Sequence, residues 1–175
     1  MASTLKINNL DTASGTTITV PTGKTLVVTD EGGVRVPGTV LQVLQATDET
    51  QRSVNTTSYA MFSNTLSVAV TPKAASSKFL VSFCSESYNA LNGISLYLTI
   101  FRDSTDIGNS SGYGLARQYT DTANISVGMN GVKLDSPNTT SQITYTVRAK
   151  LASGSGPAYF HSQTIGTLTV IEIAQ

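Results

Sequence analysis

"QITYTVRAKL", Gln142–Leu151, decides the fold. Ile143, Tyr145, Val147, Ala149 and Leu151 occupy every second position, with Thr144, Thr146, Arg148 and Lys150 between them. Successive side chains of a strand point to opposite faces, so this stretch offers one face to a core and one to water. A helix would scatter the same apolar residues around its circumference.

The same period extends outward in both directions. "TLSVAV" places Leu66, Val68 and Val70 on one side. "GTVLQVLQ" (38–45), "NISVGM" (124–129) and "GTLTVIEI" (166–173) are further strand phrases, and 59–62, 115–119 and 159–162 are weaker ones. "KFLVSFCSES" (78–87) and "ISLYLTIF" (94–101) are more continuously apolar, as expected of strands buried on both faces. Turn chemistry separates these runs: Thr71-Pro72-Lys73, Asn92-Gly93, Arg102 to Asp106, Asn130-Gly131 and Ser153 to Pro157. No window carries an apolar stripe at helical spacing. Many short strands with regular turns predict an all-β, antiparallel jelly-roll sandwich over residues 37–175, with Leu66, Val68, Tyr145 and Val147 in its core.

Residues 1–36 read differently. Ile18-Thr19-Val20-Pro21 returns as Val34-Arg35-Val36-Pro37, and each copy has a glycine within two residues of its proline. Proline removes a ladder donor, so these phrases suit strand ends or edges. They hold too few apolar residues to close a core. The expectation is an extended β-rich arm, in which Ile18, Val20, Pro21, Leu26, Val28, Val34 and Val36 are buried between three intertwined copies. An irregular N-terminus is the alternative.

Composition narrows the function. Charged residues are 13% of the 175, about half the usual share, and eleven basic residues balance eleven acidic ones. That leaves no positive stripe for nucleic acid. No apolar run approaches a membrane span, and the first residues lack a secretory signal. Cys84 is alone among apolar neighbours and reads as a buried, inert thiol. The N-x-S/T triplets at Asn55, Asn109, Asn124 and Asn138 read as chance in a chain rich in these residues.

Motifs for chemistry are sparse. His161 is the only histidine, and one His with one Cys cannot make a zinc site within a chain. Ser–His–Asp partners converge only in space, but no nucleophile-elbow phrase is present. Asp103 and Asp106 lack the glycine and glutamate of a calcium loop and suit a hairpin turn. "GNSSGYG" (108–114) lacks the Lys-Ser/Thr ending of a phosphate loop. Glu86, Asp121, Asp135 and Glu172 could pair as glycosidase carboxylates only if the fold opposed them. The expectation is a protein without catalytic, metal or cofactor sites. Tyr88, Tyr113, Tyr119 and Tyr159 near loops keep a carbohydrate-binding module open.

From Pro37 onward the chain resembles the jelly-roll domains of structural proteins in tailed bacteriophages, marine phages and cyanophages especially. Gln42, Gln45, Thr71-Pro72-Lys73, Ser76-Ser77-Lys78, Arg102-Asp103, Tyr145 and Glu172-Ile173 carry the likeness. The arm resembles phage N-terminal segments that anchor a fibre or decoration protein. The resemblance implies a homotrimer on the outer surface of a capsid or tail, made in the host cytoplasm. A short arm with a compact head suits a decoration or cement protein seated on the major capsid protein lattice. A short tail fibre or receptor-binding tip, holding a host surface glycan or protein, is the alternative.

Overall fold

The computed structural model describes residues 21–25, 27, 36–89, 92–109, 111–153, 156–161 and 163–175. The chain divides into two units, Met1–Gly33 and Val34–Gln175, and the strands below belong to the second. They are β1 (Val40–Asp48), β2 (Arg52–Val54), β3 (Ala60–Met61), β4 (Ser67–Val70), β5 (Lys78–Asn89) and β6 (Ile94–Arg102). β7 (Thr105–Asp106), β8 (Ala116–Thr120), β9 (Ile125–Asp135), β10 (Ile143–Leu151), β11 (Ala158–Phe160) and β12 (Gly166–Ile173) follow. No helix occurs among the described residues.

All the pairings are antiparallel, and they nest: β1 with β12, β4 with β10, β5 with β9, and β6 with β8. The chain therefore runs as one long double strand rolled over on itself. Rolling distributes it into two sheets, β1-β12-β5-β9 and β4-β10-β6-β8, which is the jelly-roll order. Several principal strands are interrupted. β11 continues the line of β12 along β5, and β2 continues β1 along β11. β3 and β4 likewise share β10.

Period-two burial makes the core. Phe79, Val81 and Phe83 of β5 with Leu168 and Val170 of β12 face Leu96, Leu98 and Ile100 of β6. Leu66, Val68, Tyr145 and Val147 lie in this cluster, at most 5% exposed. The rings of Phe79 and Tyr145 meet across the sandwich at 5.9 Å. Each such fully buried side chain contributes about 1.5–3 kcal/mol.

Several local expectations change. Asn130-Gly131 is not a turn; it lies inside β9. A Cβ on Gly131 would stand 2.5 Å from the Phe83 ring, so the glycine is there for close approach. β5 is not buried on both faces: its outward residues are partly exposed, and Cys84 is exposed opposite Asn130 and Thr167. Phe83 sets the phase, which turns Cys84 out and Ser85 in. β5 also continues through residues 87–89, where Ser87 and Asn89 are buried. Of the arm residues, Pro21 and Val36 are exposed; Ile18, Val20, Leu26, Val28 and Val34 lie outside the described residues.

Candidate functional sites

The first site grows from a shared interruption. Between Phe160 and Thr167 the β11–β12 line carries more residues than β5 opposite it, and β1–β2 breaks at the same level. Backbone groups there lose ladder partners, and side chains take over. His161 follows β11 with a left-handed φ of 54°. Its Nε2 is 2.9 Å from the Ser85 hydroxyl, and its Nδ1 is 3.9 Å from the Asp48 carboxylate. A Cβ on Gly166 would come within 2.1 Å of the imidazole, so only glycine admits the ring.

Ser, His and Asp thus converge from β5, the bulge and β1. Their geometry is not that of a nucleophile relay. At 3.9 Å the His–Asp contact is too long for a hydrogen bond, and Nδ1 has no partner in bonding geometry. Asp48 accepts instead from Arg52 Nε at 2.8 Å, the Ser63 hydroxyl at 2.5 Å and the Thr50 N–H at 3.0 Å. Ser85 is 1% exposed and His161 2%, so both residues are almost wholly buried. Burial by itself would raise the Asp48 carboxyl, but hydrogen bonds from Arg52, Ser63, Thr50 and Thr65 hold it far below the carboxylate range. Burial pushes the His161 imidazole down, against the opposing pull of Asp48, the Thr50 backbone and Glu86. The cluster is a polar plug joining the ends of β1, β2 and β11 to the body of β5.

Two further polar knots use residues that carried the phage-like resemblance. The Glu172 carboxylate, buried, accepts from Gln42 Nε2 at 2.5 Å and from the Lys73 N–H at 2.7 Å. Gln42 also reaches the Thr71 carbonyl at 3.0 Å. Arg102 donates to both oxygens of Asp135, at 2.8 and 2.7 Å, and the Tyr145 hydroxyl donates to the same carboxylate at 2.8 Å. Burial and Asp135 push the Tyr145 phenol well above its ordinary value. β6 and β10 of one sheet are thereby tied to β9 of the other. These residues hold the two sheets in register. Among the described residues no group of three or more His, Cys, Asp or Glu is placed to hold a metal, and Asp103 and Asp106 sit on the hairpin between β6 and β7.

The second site is a surface that the sequence reading missed. Across the outer face of the first sheet the register aligns Val43, Ile171, Leu80 and Leu134, one from each of four strands. Val132, Val40 and Ile173 flank this row. Val40, Val43, Val132 and Leu134 are each more than half exposed. With strands about 4.8 Å apart and outward residues about 6.8 Å apart, these seven positions cover on the order of 230 Å². The alternation showed which residues share a face of one strand, but only the register could join four strands into a row.

No protein-family model matches the chain, and no curated protein sequence does. Among solved structures, the chain is similar to the crystal structure of an infectious bursal disease virus VP2 subviral particle, at 14% identity and a TM-score of 0.41. That match covers 76% of this chain and 37% of the other. It is also similar to T=1 particles derived from infectious bursal virus, at 14% identity and a TM-score of 0.44, over 87% of this chain and 41% of the other. The chain spans about two fifths of the length of these neighbours.

Proposed function

We propose that this chain is a non-enzymatic structural protein of a virus particle, a homotrimeric capsid decoration or cement protein that binds the major capsid lattice. The uncovered apolar row on the first sheet carries the reading. Apolar side chains exposed in one row are taken out of water when identical neighbours cover them. At on the order of 230 Å² it is under a third of what one partner contributes to a standard interface. The arm, residues 1–36, supplies the rest of the contact between copies and with the particle. The low content of charge favours close packing of neighbours, where desolvated charges would be unfavourable. The resemblance to tailed-phage jelly rolls supports the virion setting.

Sedimentation at micromolar concentration tests the trimer: the expected mass is three times 18.4 kDa, and a monomer at all concentrations would remove this reading. Adding full-length and arm-deleted protein to particles that lack it tests attachment. Co-sedimentation and capsid stabilisation by the full-length form alone support a cement protein. Unchanged capsid stability with impaired adsorption to host cells would instead favour a short tail fibre or receptor-binding tip.

A further inference from the structure

The outward side chains of the second sheet form a different surface. Across β10, β6 and β8 the register sets Lys150 opposite Tyr97, and Tyr97 opposite Arg117. The Lys150 ammonium lies 4.5 Å from the centre of the Tyr59 ring and 5.7 Å from that of Tyr97. The Arg117 guanidinium lies 5.8 Å from Tyr97 and 5.7 Å from Tyr119. Arg148 sits 4.1 Å over Phe101. Tyr113 stands 5.5 Å from Tyr97, and both Tyr113 and Tyr119 are more than half exposed.

What separates these cations from Arg52 and Arg102 is the absence of a counter-ion. Among the described residues no carboxylate lies within ion-pair distance of Arg117, Arg148 or Lys150, whereas Arg52 and Arg102 are both paired. A cation resting on a ring keeps its full charge and gives up part of its hydration. Beside Lys150, Asp106, Ile107, Gly108, Asn109 and Gly112 line a cleft of about 370 Å³; a Cβ on Gly112 would be 3.7 Å from the Lys150 ammonium. The one carboxylate in that cleft, Asp106, already accepts from the Thr99 hydroxyl at 2.7 Å and the Gly108 N–H at 2.9 Å.

We propose that this face binds an acidic polysaccharide, with pyranose rings stacked on Tyr113 and Tyr119 and carboxylate or sulfate groups on Arg117 and Lys150. Those two cations flank Tyr97 two strand spacings apart, about 10 Å, so successive acidic groups of an extended chain can be met by separate residues. A neutral sugar would have no use for the unpaired cations, and a partner recognised by charge alone would have no use for the exposed rings. A nucleic acid fits less well: the chain has no net charge, and strong backbone binding needs many phosphate contacts. The inference rests on this face alone and holds for either position in the virion, since the apolar row lies on the other sheet.

Full-length protein is titrated at physiological salt with heparin, polygalacturonate, uncharged dextran and oligothymidylate. The expected result is binding to heparin, polygalacturonate or both, none to dextran, and at least about tenfold weaker binding to oligothymidylate. Heparin alone would identify sulfate as the recognised group; polygalacturonate alone would identify carboxylate. Arg117→Gln and Tyr119→Ser should each weaken binding at least about tenfold with the sedimenting mass and unfolding midpoint unchanged. Lys133→Gln, the same loss of charge on the first sheet, should leave binding intact. If Tyr119→Ser shifts the midpoint, Tyr113→Ser replaces it. The proposal is overturned if neither polysaccharide binds, if oligothymidylate or dextran binds as well, or if Lys133→Gln weakens binding as much as Arg117→Gln.

Discussion

The outer faces of the two sheets are made by the same alternation and carry opposite chemistry. On the first sheet the outward row is Val43, Ile171, Leu80 and Leu134; on the second it is Lys150, Tyr97 and Arg117. The inner faces have no such freedom, because both sheets fill one core and must be apolar there. Outward positions answer only to what they meet. An apolar row suits an identical neighbour, and a cationic, aromatic row suits a hydrated, acidic ligand. The difference between the faces is therefore the strongest statement about function that the molecule makes.

The comparison breaks first if the strand phase is wrong. Val147 is buried and Arg148, its neighbour on β10, faces out. Val147→Asp places an unpaired charge in the core and should cost more than about 4 kcal/mol, enough to remove the cooperative unfolding transition. A normal melting curve for that variant would put the two faces out by one residue.

The next largest effect concerns assembly. Leu134→Asp, at an exposed position of the apolar row, should reduce the sedimenting mass threefold and change the monomer's intrinsic stability by no more than about 0.5 kcal/mol. A trimer that survives both Leu134→Asp and Val43→Asp would show that the row is not the contact between copies.

A smaller, pH-dependent effect should distinguish the sheets. The buried His161 imidazole has its pKa lowered from 6.5, so below that pH the unfolded chain takes up a proton that the folded chain resists. Stability is then full above pH 6.5 and falls as pH drops below it, by at most about 1.4 kcal/mol per pH unit. Asp48, whose carboxyl is held low, adds its own loss only as pH falls below 3.8. Hydrogen exchange at pH 5.5 should show the loosening at β1, β2 and β11, with β6 and β8 unaffected, and His161→Gln should flatten the dependence. A wild-type profile level from pH 7 to 5 would show that the plug does not titrate in this range. The smallest change is Arg148→Ala on the second sheet: losing the cation over Phe101 should cost about 0.5–1 kcal/mol in thermal unfolding.

Much of the sandwich was legible because burial on one side of a strand writes a period of two into the chain. Residues 143–151 show it without interruption, and the core positions Leu66, Val68, Tyr145 and Val147 follow from the same rule. Where polar residues turn inward the rule misleads. "SFCSES" offers Cys84 as the natural interior residue, yet the phase set by Phe79, Val81 and Phe83 turns Ser85 inward, where its hydroxyl meets His161. Asn130-Gly131 has the composition of a turn, but the ring of Phe83 is what requires the glycine.

The sequence by itself determined the all-β class, the inward residues of the regular strands and the balance of charge, since each depends on near neighbours along the chain. Only the tertiary structure decided the sites. Asp48, Ser85 and His161 are separated by dozens of residues and meet because two neighbouring strand lines break at the same level. Both outer rows are read across strands, and strand register is set by pairing between segments that local sequence does not connect.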